Sequence, residues 1–420
     1  MKYSGVEWIG NIPDNHSLIK AKYLLRFEKG KLPSEINSDG IGLPYIGASE
    51  MNGATPKDYT TSNVPTCNSE DILILWDGAN AGLVSSGHCG AVSSTVTRAR
   101  NNSDYNSRFL YYTFKAAEAF YRDKVNGTTI PHMSTKYLDD TFILQFSKEK
   151  QIQIASFLDE RCSAIDEAIQ KVNQSIDEYK KIKQAIIYFI ATNGLTPSNN
   201  YIDSGIVWAA KIPANWSVKP FKFILAERNE KNSPIVSTER LSLSIDQGVT
   251  LYAEKTTNLD RFKDDFSQYK LAHKGDLVLN SMNMIVGAVG VSNYFGCVSP
   301  AYYTFFDDTQ DHITTRYYNY LFHTKALMRV LYSIGKGIYA IERGDDRVNT
   351  CRLKVSREDL RSMKFPVPPI SEQKKIVSFL DQKCASIDNI VSMKQTELKK
   401  LESLKKTLIY EYVTGKKEVE

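Results

Sequence analysis

The sequence predicts an α+β chain built twice: two tandem α+β domains, each followed by a long helix, with the two helices pairing as an antiparallel coiled coil in a pseudo-twofold internal repeat. Three observations predict it. Ser156-Phe157-Leu158-Asp159 returns as Ser378-Phe379-Leu380-Asp381, Cys162 as Cys384, Ile165-Asp166 as Ile387-Asp388 and Ile187-Tyr188 as Ile409-Tyr410, always 222 positions on. Ser4-Gly5, Trp8, Ile12-Pro13, Asn15 and Ser17 recur as Ser204-Gly205, Trp208, Ile212-Pro213, Asn215 and Ser217, 200 positions on. The ends of the copies match while the middles diverge, as expected of one scaffold carrying two different surfaces. The third observation is a narrow apolar stripe along each repeated helix.

In the first helix Leu158, Cys162, Ile165, Ile169, Val172, Ile176, Tyr179, Ile182, Ile186 and Phe189 advance by steps of four and three. The second repeats the rhythm through Leu380, Cys384, Ile387, Val391, Leu398, Leu401, Leu404 and Leu408. Flanked by Lys, Glu, Asp and Gln, so narrow a stripe is a coiled-coil seam rather than the broad face of a helix lying on a domain core. Ser147 and Ser371 are the expected N-caps, Glu149 and Glu372 suit the positive end of the dipole, and Gly194 and Gly415 are expected as left-handed C-caps. Some forty helical residues give a rod of about 60 Å.

Ahead of each helix, apolar runs such as Ile72-Leu73-Ile74-Leu75-Trp76 and Asp276-Leu277-Val278-Leu279 are punctuated by Gly, Asn and Ser, predicting short strands and exposed loops. A helix is predicted over Ser107–Val125 and another over Thr315–Ile334. The expected boundaries are a first domain over 1–148, helix 149–194, a polar linker 195–203, a second domain over 204–370 and helix 371–416. Trp8 and Trp208 match while the middles differ, so both are expected to anchor packing.

Charged residues make up 24% and hydrophobic residues 42% of the 420, the balance of a soluble globular protein. No apolar run is long enough to span a membrane and no signal-peptide layout opens the chain, so a cytoplasmic location is expected. A net charge of +5 and a pI near 8.6 permit a polyanionic partner. Six cysteines include no C-x-x-C pair, and six scattered histidines give no metal-ligand spacing, so no metal site is expected. Phosphate-binding loops, zincin and nucleophile-elbow motifs, and the Asn-Pro-Pro-aromatic signature of amino-methyltransferases are absent from the sequence. Asp307-Asp308 and Glu372-Gln373-Lys374 could be imagined as a nuclease centre, but a helix start explains the latter better. A binder without catalysis of its own is expected.

The stretch Pro366 to Asp381 (PVPPISEQKKIVSFLD), continued by Cys384 and Ile387-Asp388, strongly resembles the helix entry of specificity subunits of type I restriction-modification systems. The opening Val6-x-Trp8-Ile9-Gly10-x-Ile12-Pro13 resembles the usual start of their target recognition domains. The first copy departs by reading Gln145-Phe146-Ser147-Lys148 before its helix, and the second by Trp208-Ala209-Ala210. The resemblance implies a non-catalytic reader of double-stranded DNA. Each recognition domain would take one half of a bipartite, asymmetric target, while the helices set the gap and dock two methyltransferase subunits. Restriction-translocase subunits would join them, and S-adenosylmethionine, ATP and Mg would be held by partners.

Base reading needs polar side chains on loops that reach groove edges, and phosphate gripping needs lysines and arginines. In the first domain the candidates are Lys29, Lys31, Ser49, Asn52, Asn80, Thr128, Thr129 and His132. In the second they are Asn229, Lys231, Asn280, Ser281, Asn283, Lys336, Arg343 and Arg347. The partner-facing and coiled-coil candidates are Leu158, Cys162, Ile165, Ile169, Val172, Leu380, Cys384, Ile387, Val391 and Leu398. Two other readings fit less of the pattern. One is the DNA reader of a system whose methylation and cleavage share one partner chain, and the other is a scaffold whose α+β domains bind carbohydrate or peptide.

Overall fold

A computed structural model describes residues 1–125, 132–196, 200–255, 265–308, 311–338 and 352–419. The chain forms two compact units, residues 1–174 with 395–420, and residues 175–394. Each long helix contributes a stretch to both. The candidates Thr128, Thr129, Arg343 and Arg347, and the linker residues Pro197 to Asn199, lie outside the described residues.

In unit 1, β1 (Leu25–Lys29), β2 (Ile72–Leu75), β3 (Val84–Ser85) and β4 (Val96–Asn101) form an antiparallel sheet in the order β1-β4-β2-β3. β2 is buried along its whole length, as the run Ile72 to Leu75 predicts, because both faces of the sheet are covered. Helix α1 (Ser107–Val125) covers one face. Its Phe109, Thr113, Ala117 and Tyr121, with Phe114, recur at helical spacing and are buried with Ile72 and Ile74 in one core. Each such aromatic contributes about 1.5–3 kcal/mol by leaving water. Tyr121, fully buried, satisfies its hydroxyl on Thr141 Oγ1 at 2.6 Å. Leu73 and Leu75, on the opposite face, enter a second core with Ile46, Val92 and Val96.

Unit 2 repeats the topology. Its strands β5 (Ala226–Glu227), β6 (Leu277–Asn280), β7 (Val289–Val291) and β8 (Tyr302–Phe306) pair antiparallel in the order β5-β8-β6-β7. The single helix expected over Thr315–Ile334 is two, α3 (Ile313–Phe322) and α4 (Lys325–Ile334). Thr324 causes the break: its hydroxyl donates to Leu321 O and accepts from Leu327 N, ending one helix and capping the next.

The long helices are α2 (Lys148–Asn193), running from the start of the repeat in unit 1 into unit 2, and α5 (Ile370–Val413), running the other way. Ser147 caps α2 by accepting from Lys150 N. Ser371 does not cap α5. It lies inside the first turn, and Pro369 O takes the bonds from Glu372 N and Gln373 N instead. Gly194 and Gly415 have φ of +78° and +70°, the left-handed end that favours glycine.

Within unit 1, Phe157 and Tyr412 rings stand 4.6 Å apart and Lys405 Nζ meets Asp166 at 2.6 Å. Within unit 2, Lys183 Nζ meets Asp388 at 2.7 Å, the same pair exchanged between copies. Leu158, Cys162, Val172, Leu380, Cys384 and Ile387 are buried, and Ile165, Ile169, Val391 and Leu398 are half-buried. The expected stripe fails in the last turns: Ile182, Phe189 and Leu404 are exposed, while Ile187, Ala191, Ile409 and Val413 are buried. Those last turns serve a different neighbour, each unit's opening segment. Tyr188 donates its hydroxyl to Trp208 O in unit 2, and Tyr410 does so to Ile9 O in unit 1, where Lys416 also binds Ile9 O and Asn11 O. Trp208 is buried and Trp8 half-buried, as packing anchors should be.

Candidate nucleic-acid interface

The strand end of β2 gathers a polar cluster in unit 1. Trp76 follows β2 and directs its indole N–H to His132 Nε2 at 3.0 Å. An indole N–H only donates, so Nε2 accepts and the ring proton sits on Nδ1, which faces Asp77 Oδ1 at 2.5 Å. Lys29, at the end of β1, reaches Asp77 Oδ2 at 3.5 Å and lies 5.1 Å from the centre of the Trp76 ring. The result is a lysine, a carboxylate and an imidazole held together at one exposed edge. Asp77 has acceptor capacity left for an amino group, and the exposed Lys29 ammonium carries the kind of charge that a phosphate contact requires.

Unit 2 builds the same backbone corner with other side chains. Met133 N donates to Trp76 O at 3.0 Å in unit 1, and Val355 N donates to Ser281 O at 3.0 Å in unit 2, with Met133 and Val355 222 positions apart. Trp76 and His132 therefore correspond to Ser281 and Lys354. Ser281 is fully buried, which corrects its place among the groove-reading candidates: a side chain without exposed surface cannot touch a base edge. Asn280 is half-buried, and its Oδ1 accepts from Met282 N and Asn283 N, tying the turn. Asn283 is exposed beside it.

The other described candidates are exposed. Lys31 follows Gly30, where a Cβ would lie 2.2 Å from Ser93 O, so only glycine lets the chain pass. Ser49 lies in the one-turn helix Ala48–Met51 and Asn52 caps its end, the turn being braced by Glu50 Oε2 on Gly47 N and by Asn52 Nδ2 on Ala48 O. Asn80 lies in the turn after Asp77, while Asn229 and Lys231 follow β5. Lys336 approaches Asp359 at 3.5 Å. The Ser356 hydroxyl, followed by Lys336, holds the Asp359 carboxyl below its usual range.

The sequence reading missed Trp76 and Asp77 as members of a site. They stand four and three residues before Asn80 in the same loop, but nothing in the sequence joins them to His132, 56 and 55 positions on. Among the described residues, no three His, Cys, Asp or Glu side chains are grouped to hold a metal, and no helix is long and apolar enough to cross a membrane. Asp307 and Glu372, imagined as nuclease carboxylates, have structural partners: Asp307 Oδ2 accepts from Thr314 N, and Glu372 accepts from Trp216 Nε1 at 3.0 Å.

Residues 18–178 and 217–403 match the family described as type I restriction modification DNA specificity domain, most of the chain and once in each copy. The chain belongs to this family. It is similar to the type I restriction enzyme MjaVIII specificity subunit of Methanocaldococcus jannaschii, 24% identical over 419 residues that span 96% of this chain and 93% of that one. It is also similar to the EcoBI specificity subunit of Escherichia coli, 20% identical over 409 residues, 91% of this chain and 81% of that one. A chain solved in work on complex assembly and conformational transition of the type I R-M system shares the fold, with a TM-score of 0.65 at 14% identity over 96% of this chain and 98% of its own. As a type I DNA specificity subunit the chain supplies sequence recognition, and methylation and cleavage reside in partner subunits.

Proposed function

We propose that this specificity subunit reads a bipartite, asymmetric target, the recognition domain of unit 1 on one half and that of unit 2 on the other. The helices α2 and α5 pair as an antiparallel coiled coil, fix the gap between the halves and dock two methyltransferase subunits. Restriction-translocase subunits complete the complex, and S-adenosylmethionine, ATP and Mg are held by those partners.

The observation that supports this reading is the duplicated corner with unlike side chains. A backbone bond of the same kind and length sets His132 beside Trp76 in unit 1 and Lys354 beside Ser281 in unit 2, and His132 and Lys354 are the exposed members of the two pairs. A shared frame sets position, and different side chains at its edge read different bases. Two readers carried on one chain also bind more tightly than either alone, because the second contact is intramolecular. Lys29, Lys31, Asn80 and His132 form the reading edge of the first domain, with Ser49 and Asn52 on a neighbouring turn. Asn229, Lys231, Asn283 and Lys336 serve the second.

The test exchanges residues 15–145 for the matching stretch of another recognition domain and sequences the methylated motif made with the cognate methyltransferase. One half of the motif changes. Retention of both original halves overturns the reading.

A further inference from the structure

One surface feature is repeated between the units without belonging to either reading edge. The one-turn 3-10 helices Ala21–Tyr23 and Phe221–Phe223 bury their first residues, Ala21 and Phe221, completely. Their last residues point into water. Tyr23 is 69% exposed and Phe223, 200 positions on, is 68% exposed. Lys22 lies 5.1 Å from the Tyr23 ring centre and Lys222 lies 5.0 Å from that of Phe223. Leu25 and Leu225 are buried just beyond, so both rings stand on rigid bases.

We propose that Tyr23 and Phe223 are paired docking knobs, one on each unit, each seated in an apolar pocket rimmed by carboxylates on one of two identical methyltransferase subunits. The proposal rests on the specificity-subunit reading above. A lone exposed aromatic is ordinary on a soluble surface. An aromatic ring at the same place in both copies, with a lysine laid against each, is not required by either core. Large aromatics that leave most of their area in water are the residues that become anchors when a partner covers them.

Duplication identifies the partner. The two reading edges differ, so a base-contacting residue would differ between copies as the exposed His132 differs from the exposed Lys354. Phe223 has no hydrogen-bonding group, so gripping phosphate does not account for it. A protein present in two identical copies meets the same knob twice, and the lysine beside each ring favours acidic groups around the pocket.

The test uses the full-length chain with its cognate methyltransferase subunit, counted by native mass spectrometry, with DNA binding by the chain alone measured in parallel. The wild type carries two methyltransferase subunits. Tyr23→Ser and Phe223→Ser each weaken one of the two by at least about tenfold, and the double variant weakens both. Tyr23→Phe keeps full binding, and the thermal melts of all variants stay close to that of the wild type, since the rings are exposed. Two subunits retained on the double variant at unchanged affinity overturn the proposal. So does loss of DNA affinity with methyltransferase binding intact, which would make the knobs DNA contacts. A wild-type chain that binds no methyltransferase at all defeats the specificity-subunit reading itself.

Discussion

Arg108 Nε donates to Asp159 Oδ1 at 2.6 Å, binding the recognition-domain helix α1 to the long helix α2, and the Tyr112 hydroxyl donates to the same oxygen at 2.7 Å. Arg316 and Tyr320 of α3 hold Asp381 of α5 in unit 2, one on each carboxylate oxygen. Burial pushes the Tyr112 and Tyr320 phenols far up, and the carboxylate each meets adds to it, so both stay protonated donors. The ion pair is nearly half exposed on both sides and is worth less than about 1 kcal/mol. The phenol is the larger stake, because a donor left unpaired in a buried residue costs about 1–3 kcal/mol. Asp159→Ala should therefore destabilise unit 1 by about 2 kcal/mol and lower hydrogen-exchange protection in α1 while leaving α3 unchanged; Asp381→Ala should do the reverse. Equal loss in both helices from either variant would refute the local latch.

Lys29 and Asp77 can be separated by what they contact. Lys29→Ala should weaken DNA binding evenly across sequences and lower the slope of log K against log salt by about 1, as expected for one lost phosphate contact. Asp77→Asn keeps the shape but removes the charge, and should alter base preference in one half of the target while sparing the other. Methylated-motif sequencing reads the second effect and a salt titration the first. A changed preference in both halves would rule out Asp77 as a reader within unit 1.

Alkaline pH should loosen the fold. Burial, followed by the charge of Asp71, pushes the Cys67 thiol up to about 11, and burial pushes the Tyr111 phenol up to about 12. Unfolded thiols ionise near 8.5 and phenols near 10. Between about pH 9 and pH 11 the unfolded chain loses protons that the folded chain keeps, so proton release favours unfolding and stability falls as pH rises. The urea midpoint should drop steadily over that window, and Cys67→Ala should flatten its lower part. A midpoint constant from pH 8 to 11 would contradict the assignment.

Local patterns in the sequence carried much of this architecture because they are enforced by local physics. Ser107–Val125 is a helix to the residue expected, since its apolar spacing and end signals agree. Gly194 and Gly415 end the long helices as expected because left-handed backbone favours glycine. The failures are places where a distant neighbour decides. Ile182, Phe189 and Leu404 continue the stripe on paper, but a straight helix drifts by roughly 20° per heptad against a seven-residue repeat, and the last turns instead bury Ile187 and Ile409. Thr324 breaks a helix that looked continuous because its hydroxyl serves both ends of a break. The cluster around Asp77 joins loops 55 residues apart, and no periodicity encodes such a meeting. Ser281 looked like a loop residue because its neighbours Asn280 and Asn283 are polar, yet its own side chain faces the core.

The long helices supply the last prediction. Lys183 binds Asp388 in unit 2 and Lys405 binds Asp166 in unit 1, residues that exchange places under the 222-residue repeat. A four-residue insertion near Ser175, about one helical turn or 6 Å, falls between Asp166 and Lys183 and leaves each salt bridge intact within its unit. If α2 and α5 set the gap, the insertion lengthens the methylated bipartite motif by about two base pairs at roughly 3.4 Å each, or abolishes methylation because the second half-site has rotated off the reading edge. The inserted variant, expressed with its methyltransferase, is scored by motif sequencing. Full activity on the original gap would show that something other than the helices measures the distance.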